Sequence, residues 1–482
     1  MVKISRSFLK SSAMYTLAGS LPMASAIILL PFYLLYLSTE KYGALAIYLA
    51  LAVLVQILTS YSFDTGVYVF YHEYKKDVAK LRHYISSVFQ FLLIVGAIVA
   101  VVFLGLGDFL FDTLFDENDL AFFPFGIMAV ATGVLQSMFK VHSSLLQTAE
   151  RPGLFFWANL LSFSLIAGFT IVGLKLYPQT LWGPVGGRLA AALLSAIWVL
   201  ARVYTIYGFR FDFSLLKESF PFNHPSLVYQ LQQWSMNYFD RFIMVFFLPL
   251  ATIGVYDFAV KCMLAVEFVI SGLYNSFYPK VIGIVMAQDQ KASAPEVNRY
   301  YHGLIACIMV LVCLAILGFS VVIDLGIIKA GYEDSIDYLP LIGIVYLVRA
   351  IRYYFSMPYG ALKYSKPLPL IYIFVSVLKI GLIVLFIGKY GVYAVIGAAV
   401  VSSAFEIYML WRAIRKHFRF QFNKLKILAA PLLLALCIAI IHSVGLLESY
   451  IAYGFYLVTC FFVLVVLYRN EIRTIMDGKI LR

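Results

Sequence analysis

The chain consists largely of apolar runs long enough to cross a lipid bilayer, and this feature constrains its fold more than any other. Runs of roughly 17 to 25 apolar residues recur along the sequence with short polar segments between them. Because lipid offers no hydrogen-bond partners, such runs must satisfy their backbone groups internally as helices. Only 13% of the residues are charged, which excludes a water-soluble fold. The sequence therefore predicts an all-α polytopic membrane protein.

We place fourteen transmembrane helices along the chain by the period and length of the apolar runs. The predicted spans are 12–37, 43–62, 85–106, 120–139, 153–176, 181–201, 226–249, 254–278, 301–323, 336–358, 368–388, 392–411, 427–447 and 450–468.

The distribution of basic residues predicts the orientation of these helices. One set of connecting segments, which includes both termini, carries 27 lysines and arginines, whereas the opposite set carries four. Because basic loops remain in the cytoplasm, both termini are predicted to be cytoplasmic. The net charge of +12 is then mainly a signal of topology, and we expect no nucleic-acid partner.

An internal repeat divides the chain. The pentapeptide Phe-Arg-Phe-Asp-Phe at 209–213 recurs as Phe-Arg-Phe-Gln-Phe at 418–422, an offset of 209 residues. Two further matches, Arg151-Pro152 with Lys366-Pro367 and Gly187 with Gly397, have offsets of 215 and 210 residues. Because each half holds an even number of helices, the halves are predicted to be parallel repeats.

The repeat predicts four regions. They are an N-terminal six-helix lobe (1–208), a cytoplasmic interfacial linker (209–225), a C-terminal six-helix lobe (226–426), and two additional helices with a cytoplasmic tail (427–482).

Three short motifs carry a resemblance to a known superfamily. They are Pro31 with Leu-Ser-Thr-Glu-Lys-Tyr-Gly at 37–43, Asp240-Arg241 followed by Gly-Val-Tyr at 254–256, and Tyr390-Gly391 followed by Ile-Gly-Ala-Ala at 396–399. With them the chain resembles the multidrug/oligosaccharidyl-lipid/polysaccharide (MOP) exporter superfamily, and within it the Wzx-like polysaccharide repeat-unit flippases. The lipid II flippases of that superfamily place arginines in their first helices, whereas the first two spans here contain none.

The resemblance implies a bacterial inner-membrane flippase with two lobes around a central cavity, which works by alternating access. Its cargo would be a polyprenyl-diphosphate-linked oligosaccharide for O-antigen, capsule or exopolysaccharide biosynthesis. It would carry that cargo from the cytoplasmic to the outer leaflet. No cofactor or metal is expected, and other membrane proteins of polysaccharide assembly are candidate partners.

Apart from Lys175 and Asp337 at the ends of their spans, ten Asp, Glu, Lys and Arg residues fall inside the predicted spans. Each costs about 2.5–3.5 kcal/mol at mid-bilayer and should face a cavity or a partner. The bases are Arg188, Arg241, Lys261, Arg349, Arg352 and Lys379, and the acids are Asp240, Asp257, Glu267 and Glu406.

The functional interpretation is that arginines bind the diphosphate of the cargo, because the planar guanidinium matches phosphate oxygens in two-point hydrogen bonding. Arg349 and Arg352, one helical turn apart on the tenth span, are the leading substrate contacts. Arg241, Lys261 and Lys379 are further candidates.

The alternative interpretation is structural charge pairing. Asp240 and Lys261 lie at similar predicted depths and would neutralise each other, and the tenth-span arginines would pair with acids such as Asp240 or Glu406. Glu267 or Glu406 would carry a coupling proton, or merely balance a nearby base, as would Asp257. For Arg188, at the exterior start of the sixth span, we expect the side chain to reach the interface.

Other functions are weighed against the flippase. A membrane glycan polymerase or ligase would need a large exterior loop with catalytic residues, but the longest exterior segments have only about a dozen residues and no catalytic motif appears. A multidrug/cation antiporter would need a cavity dominated by acids, whereas bases exceed acids here. The sequence therefore favours a transporter of anionic cargo and not an enzyme.

Overall fold

The computed structural model describes residues 25–115, 120–287, 294–326, 331–362, 366–443 and 450–469, together with positions 14, 19, 21, 328 and 364. Within these residues the chain is almost entirely helical and has no β-strand. The helices are α1 (Ser25–Tyr36), α2 (Thr39–Ser60), α3 (Phe63–Tyr74), α4 (Val78–Phe115), α5 (Ile127–Thr148), α6 (Pro152–Leu176), α7 (Gly187–Tyr207), α8 (Phe213–Val245), α9 (Leu250–Ala287), α10 (Pro295–Asp324), α11 (Ser335–Ala361), α12 (Leu368–Tyr390), α13 (Val392–Ile414), α14 (Ala430–Ser443) and α15 (Tyr450–Leu467).

A helix overlies each predicted span, and ten helical segments of the described chain are long and apolar enough to cross a membrane. The prediction of a polytopic all-α membrane protein is thereby confirmed, while the count of fourteen transmembrane helices stays a prediction. Several helices run past the predicted ends. Helix α4 begins seven residues before its predicted span, and α8 already begins at Phe213, inside the predicted linker.

The chain forms two compact units, residues 1–254 and 255–482. In the first unit α5 is the central helix, because it packs against α2, α3, α4, α6 and α7. Gly133 allows the close approach of α2 and α5, since a Cβ atom at this position would overlap the carbonyl oxygen of Ala52.

In the second unit α11 has the corresponding central place, with α10, α13 and α14 as neighbours and α12 packed on α13. The neighbour order α10, α11, α13, α12 repeats the order α4, α5, α7, α6 of the first unit, six helices later. This recurrence supports the predicted repeat. Helix α8 groups with the first unit although the repeat assigns it to the second lobe, and the lobe boundaries stay a prediction.

In both units the repeated pentapeptide contacts a polar side chain of an equivalent helix, but at a different position of the pentapeptide. In the first, the Ser86 hydroxyl of α4 donates to the carbonyl oxygen of Gly208 and accepts from the backbone N–H of Arg210, both at 2.9 Å. In the second, the Asn298 amide of α10 donates to the carbonyl oxygen of Gln421 at 2.5 Å. Ser86 and Asn298 are 212 residues apart, close to the offset of the pentapeptides. Each pentapeptide is therefore hydrogen-bonded to a polar side chain near the start of an equivalent helix, α4 or α10.

A backbone break separates α2 from α3. Tyr61 and Ser62 have φ angles of 44° and 58°, the left-handed conformation that side chains other than glycine seldom adopt. The Tyr61 N–H closes α2 by donating to Ile57 at 3.1 Å, and a new helix begins at Phe63. The break turns Ser62 and Asp64 toward the other helices of the first unit, where they take part in polar contacts described below.

Candidate substrate-binding site

On the central helix α11 of the second unit, Arg352 is paired with an acid. Its Nε atom lies 2.7 Å from Oε1 of Glu406 on α13, and its guanidinium lies 5.9 Å from the centre of the Tyr372 ring. The Glu406 side chain is almost completely buried, whereas that of Arg352 keeps about a third of its surface exposed. The charge of Arg352 is therefore compensated within the unit, which is the structural alternative that the sequence left open.

Arg349, one turn earlier on α11, differs from Arg352. Its side chain is half-buried, and it forms no hydrogen bond or ion pair with any residue that the structure describes. A guanidinium carries five N–H donors and stays charged at any pH a cell experiences. Within a membrane span an uncompensated charge is costly unless a ligand or water meets it. Arg349 is therefore the arginine of α11 whose donors are open to an anion.

Tyrosines surround this part of α11. The Tyr353 ring centre is 4.8 Å from that of Tyr274 on α9, and Tyr274 in turn stacks on Tyr278 at 4.9 Å. The Tyr353 hydroxyl donates to Oε1 of Glu267 at 3.3 Å. Aromatic faces next to hydroxyl groups suit contact with an amphipathic surface such as a sugar ring. Arg349 therefore lies one helical turn before Tyr353, which contacts the tyrosines and the carboxylate of Glu267 on α9.

The other predicted arginine contact, Arg241 on α8 in the first unit, is tied to its own helix. Its Nη1 atom lies 2.7 Å from Oδ1 of Asp240 and donates to the carbonyl oxygen of Asn237 at 2.5 Å. Both charged side chains are 4% exposed, so the pair is enclosed. Arg241 would have to leave Asp240 before it could bind cargo.

Lys261 on α9 pairs with Asp257 one turn earlier, at 2.9 Å between Nζ and Oδ2. Asp257 is buried and Lys261 is a fifth exposed, so the lysine reaches outward from a fixed acid. The predicted pairing of Lys261 with Asp240 would join the two units and stays a prediction. Lys379 is buried within α12.

Arg188 at the start of α7 donates from Nη2 to the Tyr33 hydroxyl of α1 at 3.1 Å. Its Nε atom is buried and has no hydrogen-bond partner among the described residues. The side chain is half-buried. Arg188 therefore has a neutral partner within the first unit.

A polar network in the first unit escaped the sequence analysis. Lys140 on α5 lies 3.3 Å from Oδ2 of Asp64 on α3, and it donates to Oε1 of Gln230 on α8 at 2.7 Å. The Gln230 amide closes the ring by donating to the Ser62 hydroxyl at 2.7 Å and to Asp64 at 3.2 Å. These four residues, Ser62, Asp64, Lys140 and Gln230, form what we call the α5 network.

The α5 network was missed because the hydropathy signal ends before the helices do. Asp64 and Lys140 fall in segments that the basic-residue count places in the cytoplasm, but α3 and the last two turns of α5 extend through them. Gln230 lies within the seventh predicted span. A test for helical periodicity beyond the apolar windows would have placed Lys140 on the same helix as the fourth span.

At its predicted cytoplasmic end the first unit has a second cluster. The Tyr74 hydroxyl donates to Oε2 of Glu218 at 2.5 Å, and Lys80 Nζ lies 3.4 Å from the same oxygen. The hydrogen bond from Tyr74, helped by the Lys80 charge, lowers the pKa of the Glu218 carboxyl below its usual range. The cluster therefore joins α3, α4 and α8 while Glu218 is ionised.

Comparisons with known proteins give a family and a fold for the chain. A family model described as "Polysaccharide biosynthesis protein" matches residues 36–329. No curated protein sequence matches the chain.

Solved structures share the fold at low sequence identity. The lipid II flippase MurJ in an inward closed conformation has a TM-score of 0.71 and 14% identity, over 95% of this chain and 100% of that one. A MATE multidrug transporter of the MOP superfamily in an inward-facing conformation has a TM-score of 0.59 and 14% identity, over 82% of this chain and 94% of that one. An outward-facing MATE structure has a TM-score of 0.53 and 15% identity, over 84% and 95%.

Proposed function

Because the chain belongs to the polysaccharide biosynthesis protein family, whose model covers more than half of it, we propose that it is a flippase. The cargo is a polyprenyl-diphosphate-linked oligosaccharide, carried from the cytoplasmic to the outer leaflet by alternating access for surface polysaccharide biosynthesis. The observation that carries the proposal is Arg349, a guanidinium without an acidic partner among the described residues, on a membrane-spanning helix. Such a group suits an anionic cargo better than a cationic one.

In this proposal Arg349 receives the diphosphate through two-point hydrogen bonds. Arg352 stays near it as a second positive charge, held in orientation by Glu406 at 2.7 Å. The tyrosines Tyr274, Tyr278 and Tyr353 contact the first sugar. Arg241, Lys261 and Lys379 are further contacts for the cargo during its passage.

Transport is driven in two ways: by protonation of an acid on the protein, and by the membrane potential acting on the charged cargo. Glu267, hydrogen-bonded to Tyr353, and Glu406, paired with Arg352, are the candidate coupling groups, because protonation of either would change its contact with α11. A diphosphate moving outward from an inside-negative cell would also gain about 2.3 kcal/mol per charge per 100 mV. The membrane potential therefore drives export in the proposed direction.

The location is the bacterial inner membrane, as for a flippase of this kind, and the basic-residue distribution supports cytoplasmic termini. It acts without a cofactor and performs no covalent chemistry. Other membrane proteins of polysaccharide assembly are its candidate partners.

A lipid II flippase is the second candidate, because the fold superposes on MurJ over nearly the whole chain. The two cargoes share a polyprenyl diphosphate and differ in the attached glycan. The lack of arginine in the first two predicted spans favours a cargo other than lipid II.

The proposal is tested in vesicles that contain the purified protein and a lipid-linked oligosaccharide. Appearance of the glycan on the opposite leaflet is followed with a membrane-impermeant glycosidase. We expect flipping that accelerates when an imposed potential favours movement of negative charge. No flipping of any polyprenyl-diphosphate glycan, including lipid II, would reject the proposal, and flipping that ignores the potential would reject the coupling.

A further inference from the structure

The first unit has a pocket that none of the candidate substrate contacts lines. It is formed by the ends of α5 and α7 and by the segment that leads into α6, and much of its roughly 290 Å³ of empty volume is open to the surroundings. Its walls combine aliphatic side chains with His142, Arg151, Arg202 and Tyr207. The charge register predicts that these helix ends face the cytoplasm, so the pocket is at the predicted level of the inner-leaflet head groups.

Two buried polar atoms of the pocket have no hydrogen-bond partner within the described part of the chain. His142 is 2% exposed, and its Nδ1 atom has no hydrogen-bond partner among the described residues. The Nε atom of Arg202 is likewise buried without such a partner. Neither Arg151 nor Arg202 forms an ion pair with a described residue. Buried polar groups are normally paired, so these two atoms can hydrogen-bond to a ligand that enters the pocket.

The side chains are also held in place for binding. The His142 ring packs edge-on against Trp198, with ring centres 5.1 Å apart, and the Arg202 guanidinium lies 6.0 Å from the centre of the Trp198 ring. One tryptophan thus orients both polar groups. Arg151 is exposed at the mouth of the pocket, next to Pro152, the first residue of α6.

We propose that this pocket binds the phosphate of a lipid head group. Arg151 and Arg202 supply guanidinium donors, and the tautomer of His142 with its proton on Nδ1 supplies a third. The aliphatic wall, which includes Leu145 and Val203, accepts the apolar part of the lipid next to the phosphate. The shared chemistry is a lipid phosphate, and its source is either an anionic phospholipid or the polyprenyl diphosphate. Binding is measured without transport, so the inference stands apart from the proposed function.

The internal repeat provides a matched control. Lys366 and Arg412 occupy the positions of Arg151 and Arg202 in the second half, with offsets of 215 and 210 residues. There the arginine is exposed and donates from Nη1 to the Tyr408 hydroxyl at 3.3 Å. The control pair removes the same charges from equivalent helix ends and leaves the pocket intact.

The experiment compares lipid binding to the full-length protein by native mass spectrometry. The wild type, the pocket variant Arg151→Gln/Arg202→Gln and the control variant Lys366→Gln/Arg412→Gln are titrated with phosphatidylglycerol and, separately, with polyprenyl diphosphate. We expect the pocket variant to bind at least one of the two lipids about tenfold more weakly than both other proteins.

The lipid that loses affinity identifies the source of the phosphate. Equal affinities of the pocket and control variants for both lipids would overturn the proposal. If the glutamine variant does not fold, Arg151→Lys/Arg202→Lys decides, because lysine keeps the charge but lacks the planar fork. Weaker binding by the lysine variant supports the site, and wild-type binding overturns it. His142→Leu tests the third donor, since it keeps an apolar side chain against Trp198 and should weaken binding severalfold.

Discussion

The two central helices, α5 and α11, carry their charges in different ways. On α5, Lys140 is enclosed in a network with Asp64, Gln230 and Ser62. On α11, Arg352 has Glu406, but Arg349 has no ion pair within the described chain. A compensated charge stabilises a fold at the positions where helices meet, whereas an uncompensated one remains available for a ligand. From this difference we propose a structural role for Lys140 and a functional role for Arg349.

The largest expected effect is on transport by Arg349→Ala. A lost two-point contact with a charged group is worth about 1.5–3 kcal/mol, so transport should fall roughly tenfold to a hundredfold. Arg349→Lys should recover part of the rate, because ammonium keeps the charge without the fork. The melting temperature in detergent should stay at the wild-type value. Arg412→Ala, which removes an exposed arginine from α13, is the control and should transport normally.

A substitution in the α5 network should lower the stability of the protein rather than its transport rate. Lys140→Met leaves the carboxylate of Asp64 without its base, and we expect a loss of about 1–3 kcal/mol in stability, measured as a lower melting temperature. Asp64→Asn in the same chain should restore most of it. The α5 network would lose its structural role if Lys140→Met melted like the wild type but failed to transport.

Arg352 is intermediate between Lys140 and Arg349, because it is paired with Glu406 but keeps about a third of its side chain exposed. Arg352→Ala strands a buried carboxylate and should lower the melting temperature, whereas Arg352→Ala/Glu406→Gln should recover it. The coupling energy follows from a double-mutant cycle and should be about 1–3 kcal/mol. Independent, additive effects of the two substitutions would remove the ion pair from the account. Transport by the double variant then reports what the second arginine adds to binding.

The smallest effect concerns Tyr353. Tyr353→Phe removes the hydrogen bond to Glu267 but keeps the ring against Tyr274, and should cost about 0.5–1.5 kcal/mol of stability at most. Tyr353→Ala should additionally weaken the binding of lipid-linked glycan relative to polyprenyl diphosphate without sugar. Equal losses for both ligands would exclude a contact between this ring and the sugar.

Much of the fold was predictable from sequence because lipid imposes one solution on long apolar runs. The docking of the pentapeptides followed the repeat, with Ser86 and Asn298 in equivalent places. Helix ends were not predictable in the same way, since α4 and α8 continue past their apolar windows into polar sequence. Lys140 lies in such an extension, and Asp64 lies in the separate helix α3, so the sequence places both in connecting segments.

The candidate site could be predicted in its residue types but not in its pairing. The spacing of Arg349 and Arg352 on one helix was visible in the sequence. Which of them meets Glu406 depends on how α13 packs against α11, and an apolar stripe does not encode this at the resolution of one turn. Asp240 illustrates the same limit, because the sequence does not tell whether it pairs with Lys261 or with the adjacent Arg241, whose Nη1 atom lies 2.7 Å from it.

If the Arg349 guanidinium binds the diphosphate, its loss should weaken the binding of polyprenyl diphosphate that carries no sugar. Dissociation constants are measured for the wild type, Arg349→Ala and Lys140→Met in detergent at constant salt concentration. We expect Arg349→Ala to bind at least about tenfold more weakly than the wild type, and the folded fraction of Lys140→Met to bind with wild-type affinity. Wild-type affinity in Arg349→Ala at an unchanged melting temperature would contradict the binding of the diphosphate by Arg349.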